Sequence, residues 1–173
     1  AVVLMQFMPL AARDLVRVAV DGASASVQLE GGVPGTLSSP SITADSEHVV
    51  FLSTTSATRL FGVPLDGGQA PAALNGPLVV GGSVLDYQLA PVGSRAVYRA
   101  DESTDEVVEL YSRPADGSVA GVKLSGPMVA GGDVAEYHIS PDGNWVVTAP
   151  IRTRTTPSTS TACPATAAPR PCA

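Results

Sequence analysis

Basic residues are scarce in this sequence and are nowhere clustered. Ten lysines and arginines stand against 16 acidic residues among 173, which gives a net charge of −6. Nucleic acids and anionic membranes are bound through clustered basic side chains, so the composition argues against both as partners. Cysteine is limited to Cys163 and Cys172, which fit no zinc spacing and define no disulfide framework. No apolar run approaches the roughly 20 residues of a membrane-spanning helix.

Glycine and proline are abundant, with 17 and 15 residues, whereas aromatic residues make up only 5% of the chain. Dense turn residues between short apolar stretches predict many short strands. The strongest pattern is an internal repeat. The segment Leu74–Tyr98, LNGPLVVGGSVLDYQLAPVGSRAVY, lies 50 residues before Leu124–Thr148, LSGPMVAGGDVAEYHISPDGNWVVT.

Other segments repeat in a similar register. LFGVPLDGG at Leu60–Gly68 matches LYSRPADGS at Leu110–Ser118, and LVRVAVDGA at Leu15–Ala23 is a weaker third copy. ITADSEHVVF at Ile42–Phe51 matches LAPVGSRAVY in the next unit. The spacing between copies is 45–50 residues.

Each unit is predicted to contain four strands. In the clearest unit they are Leu85–Ala90, Arg95–Ala100, VVELYSRP and VAGVKL. The dipeptides Asp66–Gly67 and Asp116–Gly117 supply the positive φ that tight turns require. A period of this length with four strands per unit is typical of a β-propeller blade and not of a helical solenoid.

The segments ISPDGNWVV and YRADESTDEVVELYSRPADGS resemble the TolB-like, WD-related β-propeller repeat. The resemblance covers roughly residues 1–147, and the SPDG turn recurs as TADSE and APVGS in the other units. It implies a non-catalytic domain that binds proteins or peptides. It also implies a periplasmic, secreted or cell-surface parent protein.

The predicted fold is therefore all-β, an incomplete (open) β-propeller made of four-stranded antiparallel blades. Its predicted parts are a partial blade at 1–37, blades at 42–88 and 89–138, and the start of a further blade at 139–147. Propellers close with about 4–8 blades, so we expect exposed strand edges and apolar faces at the ends of this array. Self-association through those edges, or dependence on another chain, is expected to follow.

Residues 148–173 consist almost entirely of threonine, alanine, proline, arginine and serine, which predicts a disordered tail. If one base is missing at codon 148, the alternative frame can be read as YRADPDTDDAVDVYSVPGDGGAPALR. That string agrees with YRADESTDEVVELYSRPADG, from Tyr98 onward, at more than half of the positions. The tail is therefore interpreted as a frameshifted translation of the next half-blade. A Pro/Thr/Ser linker and a glycosylated stalk are the alternatives.

No catalytic, cofactor-binding or metal-binding residues are predicted. His138, Ser140 and Asp142 invite comparison with a catalytic triad, but their spacing places them side by side along one strand and turn. A triad instead brings its groups together from distinct elements. His48 occupies a different place in its unit from His138, which argues against a two-histidine metal site.

One loop offers a cluster of carboxylates for calcium, although it lacks the glycine-punctuated spacing of known calcium loops. Its acidic residues are Asp101, Glu102, Asp105 and Glu106. The pairs Gly81–Gly82 and Gly131–Gly132 do not open a helix, so they are interpreted as tight connections between blades and not as phosphate cradles. Tyr87 and Tyr137 match each other in the repeat, which predicts packing between blades.

The favoured function is a non-catalytic β-propeller repeat with a protein- or peptide-binding or scaffold role, without cofactor. One alternative is the propeller of a prolyl-oligopeptidase-like serine peptidase that lacks its catalytic domain here. A G-x-S-x-G motif in the parent gene would favour that alternative, and the motif does not occur in these residues. The other alternative is a non-functional product of a frameshifted gene.

Overall fold

The computed structural model describes residues 2–7, 13–128, 132–151 and 161–164. Within these ranges every regular element is a β-strand, which confirms the prediction of an all-β fold. The strands are β1 (Val2–Phe7), β2 (Arg13–Val18), β3 (Val27–Gln28), β4 (Thr36–Ile42), β5 (His48–Thr54), β6 (Thr58–Pro64), β7 (Ala72–Ala73), β8 (Val84–Leu89), β9 (Arg95–Ala100), β10 (Glu109–Pro114), β11 (Val122–Lys123), β12 (Asp133–Ile139), β13 (Trp145–Ile151) and β14 (Thr161–Pro164).

These strands form four antiparallel sheets that follow one another along the chain. The first sheet contains β1–β3, the second β4–β7, the third β8–β11 and the fourth β12–β14. Each strand pairs with its neighbour in the chain, so every sheet is a meander. Among the described residues, no sheet closes on itself, and the second and third sheets have the four strands predicted for a unit.

The bounds of the sheets differ from those of the predicted units. The second sheet runs from Thr36 to Ala73 and the third from Val84 to Lys123, so the units at 42–88 and 89–138 each begin at the last residue of the first strand of a sheet. The boundary predicted at residue 147 lies inside β13, which continues to Ile151 and pairs with β14. The rest of the predicted tail, residues 152–160 and 165–173, lies outside the described residues.

The core consists of three clusters, each made by two successive sheets. Leu15 and Phe51 meet between the first and second sheets. Val50 and Tyr98 belong to the cluster between the second and third sheets, and Val97 lies in the one between the third and fourth. Neighbouring residues of β5 and of β9 therefore face opposite ways, as the two-residue period of a strand requires. A central strand that is buried on both faces needs a continuous apolar run, which VVFL in β5 provides.

The repeat is visible in the hydrogen bonds of β2, β6 and β10. The backbone N–H groups of Leu15, Leu60 and Leu110 occupy equivalent places in the first three sheets. Each donates to a side-chain oxygen 15 residues further on, at distances of 3.0, 2.9 and 3.2 Å. The acceptors are Glu30, Asn75 and Ser125. One backbone requirement is thus met by three different side chains.

The Asp-Gly turns form as predicted. Asp66 accepts a hydrogen bond from Gly68 N–H at 2.8 Å, and Asp116 accepts one from Ser118 N–H at 2.9 Å. The glycines that follow the two aspartates have φ values of +75° and +68°, which a residue with a Cβ rarely adopts. These turns redirect the chain after β6 and β10 towards the short fourth strands.

Candidate functional site

The repeated tyrosines connect neighbouring sheets. Tyr87 of β8 donates its hydroxyl hydrogen to the Val50 carbonyl of β5 at 2.8 Å. Tyr137 of β12 donates to the Val97 carbonyl of β9 at 3.1 Å. Burial raises the pKa of Tyr87 to about 12, and burial also raises the pKa of Tyr137. Both hydroxyls therefore act as donors that join neighbouring sheets, whereas packing between blades stays a prediction.

The structure separates the groups of the apparent triad. His138 lies 2.9 Å from a carboxylate oxygen of Glu136, on the exposed surface of β12. Ser140 instead donates its hydroxyl hydrogen to Asp142, and its oxygen accepts the N–H of Trp145 at 3.0 Å. The serine hydroxyl is therefore committed to the turn between β12 and β13 and is not paired with His138.

The same turn occurs in the second sheet with different residues. Thr43 donates its hydroxyl hydrogen to Asp45 at 2.5 Å, and Asp45 also accepts the N–H of Glu47 at 3.1 Å. Asp142 likewise accepts the N–H of Asn144 at 3.1 Å. The hydrogen bond from the Ser140 hydroxyl lowers the pKa of Asp142. Both aspartates thus form turns, as predicted for Asp142.

The acidic loop between β9 and β10 uses its first two carboxylates to bind backbone. Asp101 is buried and accepts the N–H of Ser83 at 2.5 Å. Glu102 accepts the N–H of Gly76 at 2.7 Å. Asp105 and Glu106 are exposed. The loop therefore holds the connection between the second and third sheets, and its first two carboxylates already have donors.

Glu102 belongs to a partly buried polar cluster, which we call the Glu102 cluster and define as Tyr98, Glu102 and Arg113. The Tyr98 hydroxyl donates to Glu102 at 2.9 Å. Arg113 donates to the Leu74 carbonyl at 3.1 Å. Burial is the main cause that raises the pKa of Glu102, and burial also raises the pKa of Tyr98. A carboxyl with a raised pKa is a functional-site signal, but here its donors come from the protein itself.

The first glycine pair is explained by the acidic loop. A Cβ on Gly81, which has φ of +90°, would lie 2.5 Å from a carboxylate oxygen of Asp105. A Cβ on Gly82 would lie 2.5 Å from the Asp101 carbonyl oxygen. Glycine is therefore needed because the loop approaches so closely, which agrees with the predicted tight connection. The equivalent Gly131 lies outside the described residues.

One group of metal-ligand types was not predicted. Asp45, Glu47 and His48 place one ligand atom each within 4.8 Å of one another. These donor types are ones that zinc uses, and the spacing D-x-E-H in the sequence is the signal that would have indicated them. The Nδ1 atom of His48 is buried without a hydrogen-bond partner. The aspartate is nevertheless accounted for by its turn, as in the turn of Asp142.

A groove lies at the opposite end of the sheets from that turn. It has a volume of about 260 Å³ and lies between the β5–β6 hairpin and the connection from the second to the third sheet. We call it the Arg59 groove; it is lined by Ser56, Ala57, Arg59 and residues 78–82. Arg59 is exposed, and Val80 has 97% of its surface accessible. The groove thus combines one positive charge with an apolar strip.

No protein-family model and no curated protein sequence matches this chain. Among the described residues there is no helix long and apolar enough to cross a membrane.

Proposed function

We propose that this chain is an open array of β-propeller blades that acts as a non-catalytic scaffold and binds a protein or peptide. The observation that carries the proposal is the repeated contact between successive sheets. Tyr87 and Tyr137 make the same hydrogen bond to the preceding sheet, and three clusters of apolar residues join four meanders in chain order. Four-stranded meanders arranged one after another are the units of propellers.

The binding role rests on fold analogy and on the Arg59 groove. Exposed apolar patches rimmed by polar residues mark sites of protein–protein interaction or ligand binding. Leu78, Val79 and Val80 supply the apolar strip, and Arg59 supplies a partner for a carboxylate. The groove therefore fits an apolar peptide that carries an acidic side chain or a C-terminal carboxylate.

The test is a selection from a random-peptide display library against the full chain, followed by binding measurements on the selected peptides. We expect apolar, acidic peptides whose binding is weakened about tenfold, or 1.4 kcal/mol, by Arg59→Glu and by Val80→Asp. Val92→Asp is the matched control, because Val92 is also exposed and lies at the other end of the sheets. Equal binding to all three variants, or no selected peptide, would contradict the binding role.

We infer further that residues 148–173 are a frameshifted translation of the next half-blade. The register supports this, because Thr148 occupies the place of Tyr98 and Phe51, both of which are fully buried. The nucleotide sequence around codon 148 tests the inference directly. Propeller-like codons in the alternative frame would support it, and their absence would end it. A parent protein outside the cytoplasm is part of the same proposal and is tested by the upstream sequence.

A further inference from the structure

The fourth sheet presents an apolar position that is covered in both earlier copies. Val50 and Val97 occupy equivalent places on β5 and β9, and each is covered by the sheet that follows, with 0% and 2% of its surface accessible. Val147 is the next copy on β13, and 47% of its surface is accessible. Trp145 projects from the same face of the strand two residues earlier and is also 47% accessible.

The covered copies share a polar anchor as well. The carbonyls of Val50 and Val97 accept the hydroxyl hydrogens of Tyr87 and Tyr137, which lie on the first strand of the following sheet. β13 pairs with β12 as β9 pairs with β8, so the carbonyl of Val147 lies at the corresponding position. The face thus has the apolar contact and the acceptor that the two earlier sheet contacts use.

We propose that this face, defined by Trp145, Val147 and Ala149, docks a further antiparallel sheet of the same repeat, formed by residues other than those described. The first strand of that sheet brings a tyrosine hydroxyl to the Val147 carbonyl. Among the described residues only β14 follows β13, so none of them forms this docked sheet. The inference rests on the proposed open array of blades and identifies what covers the exposed face of its fourth sheet.

The first sheet of a second copy fits the face less well. Its three described strands correspond to the second, third and fourth strands of the other sheets. The strand that carries Tyr87 and Tyr137 in the third and fourth sheets has no counterpart among those three. These described strands would therefore bring no tyrosine to the Val147 carbonyl.

The experiment uses the full chain with a flexible linker and a second copy of residues 74–128 appended at its C-terminus. Those residues contain the third sheet and therefore supply Tyr87 on a first strand. Trp145 is the single tryptophan of the chain and is absent from the appended segment, so its fluorescence reports on this face alone. We expect its emission to shift to shorter wavelength and its quenching by acrylamide to fall.

Two variants make the result specific. Tyr87→Phe in the appended copy alone should lower the docking equilibrium roughly five-fold, the effect of one neutral hydrogen bond. Val147→Asp in the host should abolish protection of Trp145, because the docked sheet would bury an unpaired charge. Val92→Asp in the host is the control and should leave protection unchanged.

Several outcomes would overturn the proposal. One is a folded appended sheet that leaves the acrylamide quenching of Trp145 unchanged. An appended segment that adds no strand signal to the circular dichroism spectrum is another, because the face should supply its missing core. If the unmodified chain forms a dimer in which Trp145 is protected from acrylamide, the face would belong to a second copy. Peptide binding at the Arg59 groove is measured separately, so failure there is distinguishable from failure here.

Discussion

The junction between the second and third sheets and the junction between the third and fourth share the same anchors. In the first junction Thr58 N–H donates to Ser83 at 2.9 Å, and in the second Val108 N–H donates to Asp133 at 2.8 Å. The tyrosine contacts repeat in the same way. In each anchor one partner is a backbone group, so only the side-chain partner depends on the sequence.

The surrounding side-chain networks differ between the two junctions. The first junction contains the Glu102 cluster and the acidic loop. The second contains an ion pair between Arg99 and Asp86, in which Arg99 also donates to the Val134 carbonyl at 3.1 Å. The hydrogen bonds to backbone groups recur in both junctions, so they are the contacts common to neighbouring sheets. The charged networks differ between the junctions. We therefore expect each junction to respond differently to pH and to mutation.

The largest effect is expected from apolar truncation. Leu60 and Leu110 are equivalent, fully buried, and lie in the first and second junctions respectively. Replacement of either by alanine should lower the free energy of unfolding by about 2–5 kcal/mol, because a cavity remains. Denaturant titration measures the loss. Hydrogen exchange should rise most in β12 for Leu110→Ala and in β5 for Leu60→Ala; the reverse pattern would contradict the assignment of the two clusters.

The tyrosine hydroxyls should contribute less. Tyr87→Phe and Tyr137→Phe each remove one donor and should cost about 1 kcal/mol. The cost should be larger for Tyr87, whose hydroxyl also lies against the Ser39 carbonyl. Thermal unfolding of the two variants and of Tyr111→Phe, which changes a hydroxyl within one sheet, gives the comparison. Equal stability of Tyr137→Phe and the unchanged protein would show that the carbonyl anchor does not hold the sheets.

The response to pH should distinguish the first junction from the second. Burial raises the pKa of Glu102 above its ordinary value of 4.5. The folded state then binds a proton more tightly than the unfolded state, so this stabilisation is fully present below pH 4.5 and is lost as the pH rises through the raised pKa. Glu102→Gln should therefore gain stability relative to the unchanged protein as the pH rises. Urea titrations between pH 4 and pH 8 measure the difference, and a difference that does not vary with pH would contradict the shift.

The smallest effect concerns the turn of the third sheet, where Val92 replaces the aspartate found in the other two turns. Asp45 and Asp142 each accept a backbone N–H two residues further on, and Val92 cannot. Val92→Asp should therefore stabilise the chain by about 0.5 kcal/mol, because it supplies the missing acceptor for the Ser94 N–H. Thermal unfolding checks the sign, with Val92→Asn as the uncharged control. Destabilisation by both substitutions would show that the added acceptor does not offset the loss of the valine side chain.

Much of the fold could be predicted because its signals are local. Asp66–Gly67 and Asp116–Gly117 indicate turns by backbone chemistry alone, and the recurrence of Tyr87 as Tyr137 places both on equivalent strands. The limits of the sheets could not be predicted in the same way. β4 contains the serine-rich segment TLSSPSI, and only its pairing with β5 shows that it opens a sheet.

The polar sites depended on contacts between distant segments. The sequence suggests that Glu102 is a solvent-exposed charge, whereas Gly76 and Tyr98 draw it inward. The group of Asp45, Glu47 and His48 is local, but its formation depends on a turn in which Ser46 has φ of +62°. The spacing of apolar residues does not predict such a turn, because a positive φ is uncommon in residues other than glycine.

The bond to the N–H of Leu15, Leu60 and Leu110 has a consequence for how such arrays change over time. A carboxylate, an amide and a hydroxyl serve as its acceptor in the three sheets. The three sheets therefore share an oxygen atom at that position and not an amino acid. Units that diverge under such a constraint lose their resemblance in letters well before they lose it in geometry.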